Sequence, residues 1–81
     1  MERYMKVMMG LGMEIVEQFN TVTGMEAFTA EMITDQGAIT VTCGANGTAR
    51  IDKPNGTHKW YYEKSTGQLR AAVKQTIDYW K

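Results

Sequence analysis

Two copies of the triplet Asn-Gly-Thr, Asn46-Gly47-Thr48 and Asn55-Gly56-Thr57, stand nine residues apart and limit what the chain around them can become. Asn and Gly accept the positive φ that tight turns between twisted strands demand, so each triplet marks a hairpin. The loops Gly44-Ala45-Asn46-Gly47 and Lys53-Pro54-Asn55-Gly56 then separate strands over residues 38–43, 48–52 and 57–63. A fourth strand precedes them. In residues 27–34, Phe28, Ala30 and Met32 alternate with Thr29, Glu31 and Ile33, the period of a half-buried strand, and Asp35-Gln36-Gly37 supplies the turn. Continued alternation turns Ile39, Val41, Cys43, Ala49 and Ile51 inward, followed by His58, Trp60 and Tyr62. Thr40, Thr42, Arg50, Lys59 and Tyr61 fall on the other face with Thr29 and Glu31. A sheet apolar on one side and polar on the other is antiparallel and covered once.

Helical periodicity flanks this meander. Over residues 2–19, Tyr4, Met8, Leu11, Ile15 and Phe19 form a stripe widened by Met5, Met9 and Val16, with Arg3, Lys6, Glu14 and Glu17 opposite, which predicts one amphipathic helix. Gly10 and Gly12 each cost about 1 kcal/mol relative to Ala inside a helix. A kink at Gly12, or a helix that begins only after Gly10, is the alternative. Asn20-Thr21-Val22-Thr23-Gly24 closes it, with Asn20 or Gly24 in a left-handed cap. Ser65 and Gln68 make a capping box for a second helix from Thr66 onward. Its stripe is Leu69, Val73, Thr76 and Trp80, with Ala72 and Ile77 beside them, and Lys74 and Asp78 form an i,i+4 pair on the wet side. The arrangement that buries all three stripes is a single α+β domain over residues 1–81, in the order α-β-β-β-β-α. It is a four-stranded antiparallel meander with two helices packed on one face.

A chain of 81 residues buries only about 60% of its unfolded surface, a marginal core that gains from association. Cys43 is the only cysteine and can form no internal disulfide, and no Cys/His set has metal-ligand spacing, so no metal or cofactor is expected and the setting predicted is reducing and cytoplasmic. Glu14 and Glu17 and the lack of a small-residue cleavage site argue against a signal peptide. The uncharged apolar run of residues 7–13 is short of the roughly 20 residues a bilayer needs, so no membrane partner is expected. Nine basic and nine acidic residues balance. That balance lowers the expectation of a dedicated nucleic-acid binder and weakens self-repulsion.

Candidate sites follow from these placements. His58, the only histidine, is the natural general acid or base near neutral pH, but no nucleophile is tied to it by spacing, so no catalytic residue is assigned. Asn55-Gly56-Thr57-His58 resembles, at three positions, the Gly-Ser-His strand of HicA-like messenger-RNA-cutting toxins, a resemblance that would make His58 the cleaving residue of a ribonuclease-type toxin. The chain departs from that pattern in its extra strand and balanced charge. Lys59-Trp60-Tyr61-Tyr62 with Gly67 is similar to one turn of the choline-binding repeats of bacterial surface proteins, which work by stacking many copies where this chain has one. Arg50, Lys59 and Tyr61, placed together on the outer face, would offer a stacking ring and two cations to single-stranded nucleic acid. Met5, Met9, Gly12 and Met13 form a Met-rich face that adapts to a partner. Thr29, Glu31 and Ile33 lie on the strand expected at the sheet edge, where unpaired backbone groups can take up another strand. The reading these features favour is a non-enzymatic protein-interaction module, an adaptor or inhibitor of a larger protein and a homodimer. Single-stranded nucleic-acid binding is the alternative.

Overall fold

The computed structural model describes residues 1–81 and has seven elements. They are α1 (Glu2–Gly10), β1 (Glu14–Asn20), β2 (Glu26–Thr34), β3 (Gly37–Gly44), β4 (Ala49–Asp52), β5 (His58–Tyr61) and α2 (Thr66–Trp80). The strands form one antiparallel sheet in the order β1-β2-β3-β4-β5, an α+β fold with five strands where the sequence predicts four.

The extra strand comes from the predicted first helix, which stops halfway. Gly12 takes a φ of +90°, and the chain closes α1 with a Schellman motif. The Gly12 amide donates to the Met9 carbonyl at 2.9 Å and the Met13 amide to the Met8 carbonyl at 3.0 Å. Met8 and Met13, the pair this motif brings together, are both buried. Beyond it, Ile15 and Val16 favour extended backbone and the chain runs on as β1. Residues 27–31 are therefore not a sheet edge, since β1 pairs with them as far as Glu31, beyond which Met32, Ile33 and Thr34 extend past the end of β1.

Three of the four hairpins use the same device. The pairs Thr21/Met25, Gly44/Thr48 and Lys53/Thr57 each close a three-residue loop ending in a glycine with φ near +85°: Gly24, Gly47 and Gly56. Gly24 thus belongs to a hairpin rather than to a helix cap. At the repeated triplets only the glycine has positive φ. The asparagine works through its side chain, Asn46 Oδ1 accepting from the Thr48 amide at 3.0 Å and Asn55 Oδ1 from the Thr57 amide at 3.1 Å.

Register follows from the loops. Asp52 opposes His58, Ile51 opposes Lys59, Arg50 opposes Trp60 and Ala49 opposes Tyr61. Paired residues share a face, so Ile51 and Ala49 carry Lys59 and Tyr61 to the covered side and leave His58 and Trp60 on the bare side. This reverses the predicted facing of the last strand. Trp60 stays 46% exposed and Tyr62, just past β5, 63% exposed, while Tyr61 packs against the core.

The core lies between the sheet and both helices. Phe28, Ala30, Ile39, Val41 and Ile51 from the sheet meet Met8 and Met13 at and just beyond α1 and Leu69, Val73 and Ile77 from α2. The capping box forms as expected, with the Gln68 amide donating to Ser65 Oγ at 3.2 Å and the Ser65 amide to Gln68 Oε1 at 3.0 Å. From there α2 runs down the sheet from the β3–β4 turn, where the Lys64 amide donates to the Gly47 carbonyl, to the β2–β3 turn, where Gln36 Nε2 donates to the Trp80 carbonyl. α1 packs on β1, β2 and α2, and no helix is long and apolar enough to cross a membrane.

Candidate functional site

Register sorts the side chains into rows, and the rows define two surfaces. On the bare face, one row runs Glu17, Thr29, Thr42, Arg50, Trp60, and the next runs Glu14, Glu31, Thr40, Asp52, His58. The carboxylates Glu14, Glu17 and Glu31 gather on the β1–β2 side. Arg50, Trp60, His58 and Tyr62 gather on the β4–β5 side. There Arg50 Nε donates to Asp52 Oδ2 at 3.0 Å and the guanidinium lies 5.8 Å from the centroid of the Trp60 ring. Trp60 and Tyr62 stack with centroids 6.1 Å apart and planes 12° from parallel. Ile33, at the end of β2, is 71% exposed on the same face.

The second surface is on the covered side. α2 lies over the middle of the sheet, and between it and the β4–β5 hairpin a cleft of about 380 Å³ remains open over Ile51 and Ala72. Lys53 and Lys59 line it with Tyr61, Tyr79 and Trp80. The Lys59 ammonium sits 5.3 Å from the Tyr61 centroid, and Tyr79 and Trp80 meet edge to face at 5.2 Å.

The predicted site residues are redistributed accordingly. Arg50, Lys59 and Tyr61 do not share a face: Lys59 and Tyr61 stay together in the cleft, and Arg50 is on the opposite surface beside Trp60. The Met-rich face divides as well. Met13 is buried, Met5 packs against the core, Gly12 caps α1, and only Met9, 49% exposed, is available to a partner. Thr29 and Glu31 lie in the interior of the bare face rather than on an edge, with Ile33 further along the same strand. Sequence reasoning placed Trp60 and Tyr62 in the core and so missed the exposed aromatic pair. Counting pairs outward from the Lys53/Thr57 closure would have found it.

The remaining reactive groups are isolated. The Cys43 thiol is fully buried, its Sγ donates to the Gly44 carbonyl, and burial pushes it up to about 11. His58 is exposed at the start of β5, opposite Asp52. On the surface of α2, Lys74 Nζ donates to Asp78 Oδ2 at 2.7 Å, and that hydrogen bond lowers the Asp78 carboxyl below its ordinary value. No three His, Cys, Asp or Glu side chains come together as a metal-binding group.

Fold and surfaces together define a two-layer α+β protein with one sheet face bare and an aromatic, lysine-lined cleft at the margin of the other. Comparison with known proteins found no matching family model, no similar curated protein and no similar solved structure.

Proposed function

We propose that this chain is a non-enzymatic protein-interaction module that binds through the bare face of its sheet, and that the first occupant of that face is a second copy of the chain. The observation that carries this reading is the cluster of Trp60, Tyr62 and Arg50 together with Ile33 on a face no helix covers. Trp, Tyr and Arg are the residue types that dominate binding energy at protein interfaces.

Charge placement supports self-association in one geometry. A two-fold axis lying in the interface and running along β3 sets the β1–β2 half of one copy over the β4–β5 half of the other. Glu17 of one copy then lies over Trp60, beside Arg50 of its mate, and Glu14 lies over His58, while Glu31 over Asp52 is the one like-charge contact. An axis across the strands would set the carboxylates against one another, at a cost. Five strands about 4.8 Å apart and on average about 20 Å long give a face of roughly 500 Å² per copy, about 1,000 Å² for the pair, which is the small end of specific interfaces. Association is therefore weak and concentration-dependent. The balanced net charge leaves no long-range repulsion to oppose it.

Sedimentation across a concentration series tests this. The chain should pass from monomer to dimer as concentration rises, and Trp60→Glu should remain a folded monomer throughout, because Trp60 contributes nothing to the core cluster. A chain that stays monomeric at every concentration, or a dimer that Trp60→Glu leaves intact, would refute the proposal.

A further inference from the structure

We infer that the cleft between the β4–β5 hairpin and α2 binds one nucleotide unit, its phosphate between Lys53 and Lys59 and its base against the ring of Tyr79. Two cations line the cleft and no carboxylate does. Neither lysine forms an ion pair, since the protein's two salt bridges are Arg50–Asp52 and Lys74–Asp78. Unneutralised lysines facing one cavity attract an anion. The carboxylates Glu31 and Asp52, which would repel phosphate on the bare face, share rows with His58 there and are on the other side of the sheet from Lys59.

The aromatics specify what kind of anion. Tyr79 meets Trp80 in a T-shaped contact and is yet 76% exposed, so its ring is held while most of it stays open to solvent. An exposed, buttressed ring is a stacking platform for a base, whatever its identity. Gln75, also in the lining, has an amide that can donate to and accept from a base edge. A volume of about 380 Å³ is near the lower limit for ligand clefts, which suits one nucleotide and excludes a longer segment from full enclosure. A carboxylate-bearing peptide would satisfy the lysines but leave Tyr79 without a partner.

Calorimetry with adenosine monophosphate, adenosine, inorganic phosphate and a ten-residue oligoadenylate tests this on the full chain, with amide shift mapping to locate the site. Adenosine monophosphate should bind, with affinity falling as salt rises, and more tightly than adenosine or phosphate alone. Lys59→Gln and Tyr79→Ala should each weaken it by about ten-fold. Lys6→Ala, exposed on α1 and outside the cleft, should leave it unchanged. Binding of the oligonucleotide as well would identify a unit of a single strand as the natural ligand; binding of the mononucleotide alone would identify the free nucleotide. Absence of binding by either at millimolar concentration, an unchanged affinity in Lys59→Gln, or an equal loss in Lys6→Ala would overturn the inference.

Discussion

At the scale of single residues, Gly47 and Gly56 make a matched pair. Both end a three-residue hairpin loop, with φ of +85° and +84°, and both follow an asparagine that accepts from the next threonine amide. Their surroundings differ. A Cβ at Gly56 would meet nothing, whereas one at Gly47 would run into the Lys64 carbonyl oxygen and come within 2.7 Å of the Tyr4 hydroxyl. Those two groups are themselves bonded, the Tyr4 hydroxyl donating to the Lys64 carbonyl at 2.8 Å and tying α1 to the segment that leads into α2. Gly56→Ala should therefore cost only the left-handed backbone, about 1 kcal/mol. Gly47→Ala should cost that and the loss of the tie, together about 3 kcal/mol. Urea unfolding of the two variants checks this, and equal destabilisation would mean that the tie contributes nothing. The Asn-Gly-Thr repeat is visible in sequence; the difference between its copies is not, because it depends on Lys64 and Tyr4, which fold against only one of them.

At the scale of elements, what was legible is what local chemistry decides. The capping box at Ser65 and Gln68, the stripe of α2 and the strands β2 to β4 all follow from neighbouring residues, and tertiary packing did not override them. The stretch from Tyr4 to Phe19 defeats the same approach. Tyr4, Met8, Leu11, Ile15 and Phe19 have helical spacing, yet the stripe continues through a glycine whose backbone a helix does not allow. A Schellman closure needs a glycine with an apolar residue after it, and Gly12-Met13 meets that condition, so the sign was present but outweighed by the longer period. Facing of β5 failed for another reason. Apolarity alone predicts an inward Trp60, whereas a three-residue loop closed by Lys53 and Thr57 sets Ile51 against Lys59 whatever the side chains prefer. That single register decides the candidate sites, since it exposes Trp60 and delivers Lys59 and Tyr61 to the cleft. The Met-rich face resolves in the same way. Met13→Gln buries an amide in the core and should cost about 2–4 kcal/mol, whereas Met9→Gln on the wet side of α1 should change stability by less than about 0.5 kcal/mol. Thermal unfolding distinguishes them; similar losses would place both methionines in the same environment, contrary to their burial.

At the scale of the whole molecule, Cys43 reports on the fold as one unit. It lies on a central strand, faces both helices and has no exposed surface, so a thiol reagent reaches it only when the core opens. The alkaline behaviour follows from its shift. Folding raises the thiol from 9.0 to about 11, so between those values the unfolded chain has lost a proton that the folded chain still holds. The unfolded state then binds fewer protons, and stability from this group is full below pH 9 and declines toward pH 11. The reactive species is the unfolded thiolate, and its amount continues to rise through pH 9, because each further step in pH also draws more chain out of the native state. The labelling rate should therefore climb about ten-fold per pH unit through pH 9 without a plateau, where an exposed thiol would level off at its own pKa. In urea at neutral pH, the logarithm of the same rate should rise with the slope of equilibrium unfolding, because only global opening frees the side chain. A plateau near pH 9 would show that the thiol is exposed in the native state, and a rate insensitive to urea would show that the sheet and helices part at Cys43 without the rest of the molecule coming undone.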